Sequence, residues 1–353
     1  MGLPAPRQAG NAGNEDEPGA AVSDSFTHCV LPYDGVDDFL GGALPFLRDG
    51  AEAGDRVVAV CGVGREMLLR EALGPAAGSV EFVESATWYS HPARTLADCL
   101  SDADATAWRG RRLRVLGEPV VWASRPPLEV LEWQRVEAML NIAFRGTGAA
   151  IMCPYSSSLP AGVVAAGRRT HPETVRGARS VANPLYMDPW AYSARCDGEP
   201  LPPPPEDADE LKIDLPDLYW LRAYVTDYAR RTPLPEEDLQ RLLVAVTELL
   251  TNAHRHGAPP ITLRMWTEAP GAEPPALVCE VADRGRWASG SGYGLVPPRP
   301  SGAATGGRFG LWAVRLLCTI VQIRTGPGGT TVRLRLRLPA VPALLDRERV
   351  NGG

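Results

Sequence analysis

Glu248 and Asn252 lie four residues apart in the run TELLTNAHRHG at 247–257, a spacing that puts both on one face of a helix. A carboxylate beside a carboxamide offers hard oxygen ligands to Mg2+ and its waters. The carboxylate is also placed to take a proton from an incoming hydroxyl. By itself the pair is ordinary, because Glu and Asn share many solvated helix faces. Its context makes it specific. In VADRGR at 281–286 an apolar strand runs into Asp283, with Gly285 two residues on. An acid at a strand end can accept from the exocyclic amine of adenine, and Gly285 lets the backbone approach closely. The Gly/Ser/Pro-rich stretch at 289–307 is too long for an ordinary turn and suits a lid. It leads into GGRFGLWAVR at 306–315, where glycines entering a helix expose N–H groups and a positive helix end to phosphates. GGTTVRL at 328–334 adds a turn and an alternating strand. Any one Gly-rich loop is usually just a turn, but four such elements in this order form a strong nucleotide-site signal.

These residues need elements to hold them. Helices are expected over 217–230 and 235–254, the second opening with Pro235 and three acids and stopped by Gly257. Strands at 261–266, 276–282, 320–324 and 330–338, with a helix at 310–318, suggest a two-layer α/β sandwich with a mixed sheet. Upstream, helices at 39–53, 66–73, 95–100 and 128–144 alternate with strands at 56–61, 80–83, 112–116 and 149–153. That alternation implies a mostly parallel sheet, and strands apolar throughout fit one covered on both faces. The pattern divides the chain into a disordered tail at 1–24, an α/β domain at 25–195, and a Pro-rich acidic linker at 196–212. An ATP-binding domain at 213–340 and a tail at 341–353 follow.

Composition narrows the function classes. The 353 residues exceed the usual single-domain size, and 44% are apolar, enough for two cores. A net charge of -6 argues against general nucleic-acid binding and gives no reason to expect a membrane surface. No apolar run has membrane-spanning length, and the N-terminus has no signal-peptide pattern, so a cytoplasmic protein is expected. The seven cysteines are scattered with no CxxC pair, which supports neither a disulfide nor a zinc framework and predicts buried thiols. Lys212, in the linker, is the only lysine. His254 and His256 are two apart on a helix, so they do not face each other and are read as helix-end residues.

The N-terminal half has no Walker A motif and no Gly-x-Gly-x-x-Gly. What stands out is a set of polar residues among apolar elements: His28, Tyr33, His91, Arg94, Glu118, Glu137, Asn141, Tyr155 and His171. Glu118 suits a site at a strand's carboxyl end, and Glu137 and Asn141 again share a helix face. Each could equally satisfy a local hydrogen bond.

Residues 215–338 resemble the anti-sigma-factor/serine-kinase branch of the GHKL ATPases, whose fold also serves histidine kinases, gyrase and Hsp90. ELLTNAxxHG matches that branch's N box, Asp-x-Gly its first glycine box, and Gly-x-x-Gly-Leu-Trp its second. The resemblance implies ATP and Mg2+ as cofactors, with Glu248 as base, Asn252 as Mg2+ ligand and Asp283 as adenine contact. It also implies His256 and Gly285 in the pocket, Gly307, Arg308 and Gly310 along the phosphates, and Thr330 near the adenine. Two departures bear on turnover. Trp287 stands where a second glycine is expected, and Arg308-Phe309 occupies a loop that is often Gly-rich. Set against the resemblance, these departures imply a narrower phosphate loop, although Arg308 can itself supply charge to a phosphate.

Residues 28–172 resemble the MEDS-type sensory domain, through His28 with Tyr33, PFL at 45–47, HPAR at 91–94, GEP at 117–119, Glu137 with Asn141, CPY at 153–155 and His171-Pro172. The resemblance implies a RecA-like α/β fold that senses a small organic molecule. His91 departs from it, since the family often has Asn there.

Together the two resemblances imply a partner-switching regulator that holds a sigma factor and phosphorylates a STAS-type anti-anti-sigma protein. A non-catalytic anti-sigma module with a degenerate pocket is the alternative. A sensor histidine kinase shares the ATP fold but needs a phosphoacceptor His on a dimerisation helix, and no histidine lies between Cys196 and Glu248. A homodimer is compatible with each.

Overall fold

Short, wholly apolar strands alternating with helices build the N-terminal half around one sheet. The computed structural model describes residues 25–177, 179–213, 217–268, 275–286, 292–298 and 309–339. In chain order the first half comprises β1 (Thr27–Tyr33), α1 (Val36–Glu52), β2 (Arg56–Cys61), α2 (Val63–Leu73), β3 (Val80–Glu84), α3 (Ser85–Trp88), α4 (Pro92–Trp108) and β4 (Leu113–Gly117). It continues with α5 (Val120–Ala123), α6 (Pro127–Ala143), β5 (Ala150–Ser156), α7 (Ala161–Thr170), β6 (Glu173–Arg176), β7 (Arg179–Ala182) and α8 (Pro189–Cys196). The strand order is β3-β2-β4-β5-β1-β6-β7, parallel except for β7 against β6. One face packs Phe39, Leu47 and Leu69 of α1 and α2. The other packs Leu96, Trp133 and Met139 of α4 and α6 against Val30, Val115 and Ile151. The mostly parallel sheet covered on both faces is the expected one. Strand β1 and the β6–β7 hairpin were not anticipated, because each is short or interrupted by polar residues.

The second half comprises β8 (Asp209–Ile213), α9 (Leu218–Arg230), α10 (Glu236–His256), β9 (Ile261–Thr267), β10 (Ala276–Asp283), α11 (Phe309–Leu317), β11 (Ile320–Gly326) and β12 (Gly329–Arg337). Its sheet runs β11-β12-β10-β9-β8, with helices α9, α10 and α11 burying Val225, Leu249 and Val314 against it. Two expectations need correction. The sheet is antiparallel throughout rather than mixed, since each successive strand pair is antiparallel. The expected linker also holds structure: β8 begins at Asp209 and pairs with β9, so Lys212 lies in a strand. The Pro-rich segment is tied down too, with Arg333 donating to Pro202 O at 2.9 Å and Arg324 to Glu199 O at 2.6 Å. The tails at 1–24 and 341–353 lie outside the described residues.

Helix α6 shows why a buried helix can look polar. Glu129, Glu132, Arg135, Glu137 and Asn141 are all buried on it, and all but Glu137, which faces His28 and His171, have a charged or hydrogen-bonding partner on another element. Burying such groups is tolerated only when they are paired in this way.

Candidate functional site

Helix α10 brings Glu248 and Asn252 to one face, as their spacing requires. The start of α11 lies directly on them. A Cβ added at Gly310 would sit 2.7 Å from Glu248 Oε2 and 3.8 Å from Asn252 Nδ2, so a larger residue here would push the Glu248 carboxylate aside. Asp283 ends β10, where burial pushes its carboxyl above the usual aspartate range and backbone donors work against that. Its Oδ1 accepts from Gly285 N at 2.6 Å and Ala258 N at 3.2 Å. Gly285 is packed so tightly that a Cβ there would meet Gly257 Cα at 2.5 Å, which joins the Asp283 turn to the end of α10. Thr330, in register with Asp283, donates to Gly285 O at 2.9 Å.

Thus Glu248, Asn252, Asp283, Gly285, Gly310 and Thr330 come together around the end of α10. The glycine contacts and the carboxylate at the strand end suit an ATP–Mg2+ cradle. His254 and His256 sit exposed in the last turn of α10. Gly307, Arg308, Trp287 and most of the expected lid lie outside the described residues.

In the N-terminal domain the sequence candidates divide into three places. Tyr33 and Glu118 meet at the carboxyl ends of β1 and β4, where Tyr33 donates to Glu118 Oε1 at 2.6 Å. Arg65, which carries no motif in the sequence, donates to Tyr33 Oη at 3.0 Å and lies 3.3 Å from Glu118. Beside them a cavity of about 750 Å3 opens beyond β1 and β5, lined by Tyr33, Asp38, Tyr155, Arg168 and Arg169 among others. Its position is where open α/β sheets bind ligands.

His28, Glu137, Asn141 and His171 form a second, fully buried group with Cys153. Burial, with His171 nearby, lowers His28 to about 4. His91 and Arg94 go elsewhere. His91 caps α4 by accepting from Arg94 N at 3.5 Å, and Arg94 Nε donates to Leu316 O at 2.8 Å, across to the second half of the chain.

The two halves meet along α11. Trp312 is buried in the same hydrophobic cluster as Leu96, Trp133 and Met139. Arg315 Nη1 donates to Glu132 Oε2 at 3.4 Å, Arg337 pairs with Glu129, and Arg324 Nη1 donates to Asp197 Oδ1 at 2.8 Å. The helix that reaches Glu248 through Gly310 therefore also rests on α4 and α6.

Family models match both halves. Residues 27–172 match MEDS, the methanogen/methylotroph DcmR sensory domain, and residues 212–336 match the histidine kinase-like ATPase domain. The chain joins a MEDS sensory domain to a histidine kinase-like ATPase domain. Among solved structures, the RsbU and RsbW domains of Rv1364c from Mycobacterium tuberculosis are similar at 22% identity, with a TM-score of 0.26. That similarity covers 37% of this chain and 32% of that one, so the chain spans about a third of its length. A comparison with curated proteins finds no match. Among the described residues of this MEDS–ATPase chain, no helix is long and apolar enough to cross a membrane.

Proposed function

We propose that the protein is a cytoplasmic, signal-responsive anti-sigma regulator that binds ATP–Mg2+ and controls transcription by partner switching. Its ATPase domain holds a sigma factor and phosphorylates a Ser or Thr of a STAS-type anti-anti-sigma protein. The observation that carries this reading is the double contact of α11, with Gly310 against Glu248 and Trp312 and Arg315 against the sensory domain. A signal bound by the sensory domain with different affinity for two positions of α11 would bias the nucleotide site.

In this reading Asn252 holds Mg2+, and Asp283 accepts from the adenine amine. His256, Gly285, Gly307, Arg308, Gly310 and Thr330 complete the pocket. Bound ATP supplies the phosphoryl group. Glu248 takes the proton of the incoming hydroxyl, and the tight Gly310 contact keeps bulk away from its carboxylate. Tyr33, Glu118 and the cavity beside them are the proposed seat of a small organic signal.

Trp287 and Arg308 favour a second reading, in which the domain binds sigma factor without turnover. Incubation with labelled ATP and a panel of STAS-type proteins separates the two. Label on a partner Ser or Thr supports the kinase, whereas tight sigma binding with no transfer leaves the non-catalytic module.

A further inference from the structure

The four buried side chains His28, Glu137, Cys153 and His171 come from four separate elements: β1, α6, β5 and the residue ending α7. One ligand-type atom from each lies within 4.8 Å of all the others. The residues are 0%, 5%, 2% and 0% exposed, so water does not screen their mutual repulsion.

Their hydrogen bonds determine which atoms face the centre. Asn141 Nδ2 donates to Thr170 O at 2.7 Å and Ala138 O at 3.1 Å. Its Oδ1 is thereby turned to His28 Nδ1, at 3.1 Å, and can only accept. His28 must therefore carry its proton on Nδ1. His171 Nδ1 lies 2.8 Å from Gly167 O, again an acceptor, so the same holds there. In the neutral rings both Nε2 lone pairs then point inward at Glu137 Oε2, at 3.5 and 3.2 Å. Neither Glu137 Oε2 nor His171 Nε2 makes a hydrogen bond among the described residues. The Cys153 thiol, 3.8 Å from His28 Nε2, can serve that ring but leaves His171 facing a carboxylate. A buried centre lined by acceptors needs a cation.

We propose that this cluster is a binding site for one zinc-class divalent ion held by His28 Nε2, His171 Nε2, Glu137 Oε2 and Cys153 Sγ. Imidazole, carboxylate and thiolate are the donors such ions take, and both rings are held by outer partners, Asn141 and Gly167 O, in the manner of metal-ligating histidines. The spacing also fits. Tetrahedral bonds of about 2.0–2.3 Å place neighbouring N and O atoms roughly 3.3 Å apart, and N and S roughly 3.6 Å apart. The observed separations are 3.2 and 3.5 Å for N and O, and 3.8 Å for N and S. On binding, the metal–sulfur bond forms as the Cys153 proton leaves to solvent, and no electrons move. A small cavity of about 40 Å3, walled by Glu137 and Cys153 with Tyr89, Trp133 and Ile151, reaches the cluster from the α4 side. The site stands independently of the kinase reading.

The test uses the full chain, stripped by chelator and free of nucleotide, titrated with Co2+ and then Zn2+. One equivalent of Co2+ should bind with tetrahedral visible bands and a thiolate charge-transfer band, and Zn2+ should displace it. Cys153→Ser should lose the charge-transfer band, and Asn141→Ala should weaken binding by roughly 10–100-fold. Zn2+ should raise the melting temperature of the wild type but not of Glu137→Gln, a near-isosteric control for folding. The proposal is overturned if Co2+ does not bind, or if the charge-transfer band persists in Cys153→Ser. An unchanged wild-type melting temperature with Zn2+ also overturns it, since the cluster would then hold only a proton.

Discussion

Glu132 on α6 and Arg315 on α11 form a buried ion pair, 3.4 Å apart, that joins the two sheets. Arg315 also donates to Tyr293 O and Val321 O, and burial lowers its guanidinium to about 10. Glu132 is 3.5 Å from Arg135, which in turn holds Asp197. Helix α6 carries Glu137 one and a half turns further on, and α11 carries Gly310 one and a half turns earlier. The pair thus fastens the helix of the His/Glu/Cys cluster to the helix that covers Glu248.

Removing one partner of this pair should cost more than removing both. Arg315→Met leaves Glu132 and two backbone carbonyls short of a donor, and should destabilise the protein by about 1–3 kcal/mol in urea unfolding. Glu132→Met with Arg315→Met should recover part of that loss, because the buried carboxylate left with Arg135 as its one cation is gone. A double variant less stable than Arg315→Met would show that the pair does not act as a unit.

Asp283→Asn should abolish stabilisation by ATP. At about a hundredfold excess over Kd, a ligand binding only the folded state adds roughly 2.7 kcal/mol, readable as a thermal shift. An unchanged shift in the variant would place the adenine elsewhere.

Glu248→Gln should separate binding from transfer. The thermal shift with ATP–Mg2+ should persist, while phosphorylation of the STAS-type partner falls by about 10²–10⁴-fold, the range for loss of a general base. Undiminished transfer would remove Glu248 from the proton-transfer role.

His91 should make the protein acid-sensitive. Burial, with Arg94, Arg241 and Arg125 nearby, lowers its ring to about 4, against 6.5 ordinarily. Between those values the unfolded chain binds a proton that the folded one does not, so this stability is complete above about 6.5 and is lost as pH falls towards 4. The loss is at most roughly 3–4 kcal/mol. Protonation would also remove the acceptor that caps α4. His91→Asn keeps a capping side chain and should flatten this part of the pH–stability curve. An identical curve in the variant would show that His91 does not titrate in this window.

The candidate nucleotide site was legible because its spacing is local. Glu248 and Asn252 need only the repeat of one helix, Asp283 and Gly285 only the end of one strand, and Gly310 only the start of α11. The alternation of apolar strands with helices likewise determined the parallel sheet, since buried strands carry their signature in every residue. Strand β8 has no clear signature in the sequence because its five residues follow a proline run and gain stability by pairing with β9. Sequence spacing gave no support for a zinc framework, and spacing could not have revealed the cluster at 28, 137, 153 and 171. Its members meet because β1 lies beside β5 and α6 crosses their face with α7 alongside, a neighbourhood that long-range packing alone creates. The same holds for Arg315 and Glu132, 183 positions apart along the chain. The sequence by itself determined two domains and one candidate nucleotide site. Only the tertiary structure decided that one helix serves both domains, and that the sensory core encloses two imidazoles, a carboxylate and a thiol.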